Sequence, residues 1–143
     1  MGRVRRTVGD RAPFTVNLPN DNANIGAGPA QRPDVLRNPN LANRTPERWF
    51  DTGAFAMPAP FQFGNAGRNI VRGAGLVNVD LSAQKQVRIR DKATLQIRAE
   101  FFNALNHTNF ADVPGRIAFT PSFGRYFAAE NPRQVQLGVK LQF

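Results

Sequence analysis

The sequence predicts an all-β, antiparallel fold: a short meander of strands joined by long irregular loops. Three observations predict it. Polar and apolar residues alternate strictly over three separate stretches, with a period of two rather than 3.6. A two-residue connection joins the first pair of those stretches. Everything else is rich in turn formers, with 12 Gly and 11 Pro in 143 residues.

In the first stretch, residues 76–90, the odd positions from 77 on are Val77, Val79, Leu81, Ala83, Lys85, Val87 and Ile89. The even ones are Asn78, Asp80, Ser82, Gln84, Gln86, Arg88 and Arg90, all polar. Asp91-Lys92 then forms a tight turn. The second strand, about 93–102, sets Ala93, Leu95, Ile97, Ala99 and Phe101 against Thr94, Gln96, Arg98 and Glu100. Helix formers over residues 98–105 compete with the strand at its end. The third strand, 134–143, sets Val135, Leu137, Val139, Leu141 and Phe143 against Gln134, Gln136, Gly138, Lys140 and Gln142. Each reads as a strand with one wet and one apolar face.

Residues 1–75 read as an irregular region, and 103–133 as a second long loop. Leu18-Pro19-Asn20-Asp21-Asn22, Asn38-Pro39-Asn40 and Met57-Pro58-Ala59-Pro60 disfavour long regular elements. A strand remnant fits near residues 13–18. A helical turn fits after Thr45 as cap, with Pro46 in the first helical position and Glu47 in the first turn.

Charge and composition narrow the function. With 19 Lys and Arg against 10 Asp and Glu, the net charge is +9. The excess is even, net +5 over residues 1–75 and net +4 over 76–143. It forms no basic helix, and no block beyond residues 3–6, so dedicated nucleic-acid binding is not expected. The absence of Cys excludes thiol catalysis and Cys-ligated metals. His107 stands alone, and Asp80, Asp91, Asp112 and Glu130 are scattered. No enzyme and no cofactor are expected. Gly64-Asn65-Ala66-Gly67 resembles an RNA-clamping GxxG but lacks flanking helices, so it reads as a turn. Asn43-Arg44-Thr45 and Asn106-His107-Thr108 match a glycosylation triplet that arises easily in Asn-rich loops. There is no apolar run of signal-peptide or membrane-helix length.

The apolar face needs either a second protein layer or lipid, and the remaining sequence offers no clear layer. A strand of about 10 residues, tilted by about 45°, spans the roughly 25 Å apolar band of an outer-membrane barrel. The wet face suits a barrel lumen. Long, short and long connections match outer loops and a periplasmic turn at Asp91-Lys92. Lys85 is the exception on the apolar face, and it must snorkel toward an interface.

The residues resemble the C-terminal end of the barrel of TonB-dependent outer-membrane receptors, in particular the Oar-like group with a carboxypeptidase-regulatory-like N-terminal domain. The resemblance is carried by Phe63-Gly64-Asn65-Ala66-Gly67-Arg68-Asn69 with Arg72-Gly73, by Val79-Asp80-Leu81-Ser82, by Leu95-Gln96-Ile97-Arg98-Ala99-Glu100-Phe101-Phe102-Asn103 with Asn106-His107-Thr108-Asn109-Phe110, and by Pro132-Arg133-Gln134 running on to Phe143. Residues 1–11 lie outside it. It implies terminal transmembrane β-barrel strands that cannot close a barrel alone, as a fragment of a receptor of roughly 22 strands. It further implies a bacterial outer-membrane location, ligand import driven by the TonB complex, and contact with outer-membrane lipid. The substrate is left unspecified. Val139, Leu141 and Phe143 would form the signal read by the barrel-assembly machinery. The alternative is a small basic soluble β-module that binds nucleic acid or polyanions.

Overall fold

A computed structural model describes residues 2–9, 13–26, 30–90, 93–111 and 113–143. The chain divides into two compact units, a strand sheet and a loop module. The sheet comprises Met1–Gly9, Gly75–Asn109 and Glu130–Phe143; the module comprises Asp10–Ala74 and Phe110–Ala129.

The sheet is all antiparallel. Its strands are β1 (Gly2–Gly9), β8 (Leu76–Arg90), β9 (Ala93–Phe102) and β10 (Gln134–Gln142), in the order β1-β8-β9-β10. Six shorter strands between β1 and β8 in sequence belong to the loop module. The three alternating stretches of the sequence are therefore neighbouring strands. The competing helix over residues 98–105 does not form. Instead β9 runs to Phe102 and ends in a turn at Asn103, whose φ is 48°. The register between β8 and β9 shifts between Arg88 and Arg90, and the expected turn at Asp91-Lys92 lies outside the described residues.

Strand β1 corrects the reading of residues 1–75 as one irregular region. Gly2–Gly9 pairs with β8 along its whole length, from Gly2 opposite Ala83 to Gly9 opposite Leu76. Only Val4 and Val8 mark its apolar face, too few for a period to be seen in the sequence.

The loop module is irregular in outline but has its own core. Strands β2 (Pro13–Phe14) and β7 (Val71–Arg72) pair, as do β3 (Asp34–Val35) with β6 (Phe55–Ala56) and β4 (Asn40–Thr45) with β5 (Arg48–Phe50). The expected helical turn after Thr45 is thus a hairpin. The Thr45 hydroxyl does accept the Arg48 N–H at 3.2 Å, but it closes a β-turn rather than starting a helix. A 3-10 helix follows at Thr52–Ala54, capped by Asp51.

Phe50 is fully buried at the centre of the core, edge-on to Phe14 (5.9 Å), Phe55 (6.0 Å) and Phe123 (5.1 Å). Edge-to-face rings gain electrostatic energy beyond the area they bury. Val16, Leu18, Val71 and Ala118 close around them. Tyr126 stacks on Phe110 at 4.6 Å and meets Trp49 edge-on at 4.9 Å.

Asn and Asp side chains replace regular ladders in satisfying this backbone. Asn22 donates to the carbonyls of Ala59 and Gln62, Asn65 accepts from Val35 N–H, and Asn40 bridges Ile70 and Arg72. No buried side-chain polar atom lacks a partner among the described residues.

Candidate functional site

The register of the sheet sorts its side chains into rows. Directly opposed residues share a face. One face carries the row Val4, Leu81, Phe101 and Val135, then Gly2, Ala83, Ala99 and Leu137. The rows Lys85, Ile97 and Val139, and Val87, Leu95 and Leu141, follow. The other face carries Arg3, Ser82, Glu100 and Gln136, then Gln84 and Arg98 with Gly138, then Gln86, Gln96 and Lys140. Arg98 and Glu100 form an ion pair on it at 2.5 Å.

The apolar rows meet no protein layer. Every buried apolar residue described belongs to the loop module, and none to the sheet. Leu137 stays 75% exposed and Val139 72%, with Ile97 at 47%. A contiguous apolar surface of this kind is not viable against water and calls for an apolar medium. No helix among the described residues is long and apolar enough to cross a membrane.

Lys85 lies opposite Ile97, on the apolar face as expected. It borders a shallow depression of about 280 Å³ walled by Gly2, Ala83 and Ala99, small residues that leave room for its aliphatic stem along the sheet. Arg6, opposite Val79, is a second cation on this face that the alternation did not reveal.

The last strand is an edge. It pairs with β9 alone, leaving its other row of N–H and C=O groups open. Val139 and Leu141 point to the apolar face, opposite Ile97 and Leu95; Phe143 follows the last paired residue and is 98% exposed. An open edge with exposed alternate side chains is the geometry that accepts a further strand.

The opposite ends of β8 and β9 are latched by polar residues that the sequence pattern marked but did not explain. Asp80 accepts the Asn103 N–H at 3.0 Å and the Asn78 amide at 3.0 Å. Asn103 is buried, and its side chain both accepts the His107 N–H and donates to the His107 carbonyl. The Asn109 side chain brackets Val77, accepting its N–H at 2.9 Å and donating to its carbonyl at 2.8 Å, as a neighbouring strand would. His107 is thus held by its backbone and is an exposed loop residue. No cluster of metal-ligating side chains occurs among the described residues.

A family model described as an outer membrane beta barrel domain matches residues 7–136. The chain belongs to this family. No curated protein and no solved structure matches it. As an outer membrane beta barrel domain its place is the outer membrane. The match begins at residue 7, within β1, and most of that strand lies before it. It ends at Gln136, before Val139, Leu141 and Phe143. Four strands leave the sheet open at β1 and at β10.

Proposed function

We propose that this barrel segment belongs to a TonB-dependent, Oar-like outer-membrane receptor that imports a ligand. It contributes barrel wall, outer loops and the assembly signal. The observation that carries the reading is the edge strand β10, open along one side, with its apolar residues and Phe143 exposed. Val139, Leu141 and Phe143 are the residues presented to the barrel-assembly machinery by strand addition, and the end of the sheet where β8 leads into β9 faces the periplasm. Energy for import comes from the TonB complex, through parts of the receptor other than these strands. The segment is not an enzyme.

The assembly role is tested by photo-crosslinking from position 141 of the full chain to purified barrel-assembly machinery. Crosslinking is expected for the unaltered chain and to fall at least tenfold, on the order of a lost anchor residue, for Phe143→Asp. Equal crosslinking by both removes that role. The transport role is tested in the producing cell: loss of TonB should abolish whatever uptake is lost when the gene for this chain is disrupted. A soluble polyanion-binding module is not favoured, because the sheet would expose its apolar rows to water.

A further inference from the structure

The motif Phe63-Gly64-Asn65-Ala66-Gly67-Arg68 has no part in the membrane face. Within the loop module it forms one wall of a depression of about 370 Å³. That size lies in the range of small-molecule sites, roughly 300–1,000 Å³. Asn17, Ile25, Gln31, Arg32, Phe63 and Arg68 dominate the lining, which among the described residues includes two arginines and no acidic residue.

The two guanidinium groups are uncommitted. Neither has an ion pair or a hydrogen bond among the described residues, and the ion pairs of the module use Arg37 and Arg48. The acids closest to the lining in sequence are engaged by backbone and amide groups of its own wall. Asp21 accepts the N–H groups of Ile25 and Gly26 and the Gln31 side-chain amide; Asp34 accepts the Asn65 N–H at 2.9 Å. Beside these cations, two apolar side chains are held in water: Phe63 is 66% exposed and Ile25 59%.

The frame around them is rigid. Gln31 is buried; its side chain accepts the Ala23 N–H at 2.9 Å, and its carbonyl accepts the Leu18 N–H at 2.7 Å. Gly64 lies so close to the opposite wall that a Cβ there would fall 2.2 Å from the Arg32 carbonyl oxygen. Ala66 N–H reaches the Pro33 carbonyl at 3.0 Å, and Val35 N–H reaches the Asn65 side chain at 2.7 Å. The contact that only glycine permits thus fixes Phe63 beside Arg32. A site built before its ligand arrives loses little entropy on binding.

We propose that this depression binds a small organic anion with an aromatic body, an aryl carboxylate. Arg32 and Arg68 hold the carboxylate, and the ring lies on Phe63 and Ile25. Guanidinium groups match a carboxylate in charge and in planar geometry. An inorganic anion would leave the apolar wall unused, and a polymer would not fit a cavity of this size. The proposal stands apart from TonB coupling, because binding needs no energy source.

The test is calorimetric titration of 1-naphthoate into the full chain in non-ionic micelles. Saturable binding is expected, with 1-naphthalenemethanol (same ring, no charge) and acetate (charge, no ring) each about tenfold weaker or more. Arg32→Gln and Arg68→Gln should each weaken naphthoate by about tenfold, and Arg68→Lys by less. Arg125→Gln, elsewhere on the module, should leave it unchanged. Unaltered Trp49 emission certifies that each variant is folded. Absence of saturation at millimolar naphthoate overturns the proposal. So does indifference to both glutamine variants, or an alcohol that binds as well as the acid. Inorganic phosphate binding as tightly as 1-naphthoate would reduce the site to a bare anion site and overturn the aromatic assignment.

Discussion

At Asp51 one carboxylate serves three partners in the loop module. It pairs with Arg37 at 2.7 Å and with Arg48 at 3.4 Å, and accepts the Gly53 N–H to start the 3-10 helix. The Arg37 hydrogen bond is the leading cause that holds its pKa below the ordinary carboxylate value, against a smaller upward push from burial. A depressed folded pKa means that the stabilisation is fully present above the ordinary value and is lost as pH falls through the lowered one. Asp51→Asn keeps the oxygen that caps the helix and removes the charge. Its cost at neutral pH should be about 1 kcal/mol or less, since both arginines are exposed. That difference should vanish on acidification below the usual carboxylate range. Urea unfolding followed by Trp49, the single Trp, measures both. A difference that persists unchanged in acid would mean the charge is not the cause. Gly64→Ala is the steric counterpart. Its Cβ would fall 2.2 Å from the Arg32 oxygen and 2.3 Å from the Pro33 carbonyl carbon, which only backbone movement can relieve. A loss of about 1–3 kcal/mol is expected in the same unfolding experiment.

The long strands act as two-sided elements, and adjacent residues face different media. Ile97 sits between Lys85 and Val139 on the apolar face, whereas Gln96 sits between Gln86 and Lys140 on the polar face. Ile97→Arg should therefore destabilise the sheet in vesicles by about 2–4 kcal/mol if central in the bilayer, and Gln96→Arg by much less. Equilibrium unfolding from lipid vesicles separates the two, and equal costs would contradict the assignment of faces. This alternation is what made β8, β9 and β10 legible in the sequence. β1 was not legible because Gly2 and Arg6 occupy half of its apolar-side positions, and its strand identity comes from pairing with β8. The segment after Thr45 misled for a different reason. A hydroxyl that accepts the N–H three residues on is the same local device in a helix start and in a β-turn. The choice fell to tertiary contacts, with Trp49 N–H bonded to Gly124 and Tyr126 N–H to Pro46. The terminal residues Val139, Leu141 and Phe143 were legible as a pattern, whereas the depression beside Phe63 was not. Its wall depends on residues 15–17, 31–32 and 63–68 meeting in space.

The whole molecule combines a sheet whose apolar side chains stay exposed with a loop module that carries its own aromatic core. The module draws on two segments far apart in sequence. Residues 110–129 supply Ala118 and Phe123 to the core, and Tyr126 to the side of Trp49. They are also stitched by backbone bonds to the start and the middle of the other segment. Asn17 exchanges hydrogen bonds with Arg116 and Ala118, while Gly124 and Tyr126 bond the β4–β5 hairpin. Neither segment alone holds enough apolar surface to order a chain so rich in Gly, Pro and Asn against its conformational entropy. Replacing residues 113–127 with a short Gly/Ser linker should therefore unfold the rest of the module. Trp49 emission should shift to the red, and the Phe50 core should lose its urea transition. In vesicles the sheet should keep its β circular dichroism, because its stability rests on ladders and lipid rather than on that core. The two probes make the outcome decisive. A red shift with retained β signal places the module's cooperativity in the union of the two segments. An unchanged Trp49 transition would show that residues 10–74 fold without their distant partner.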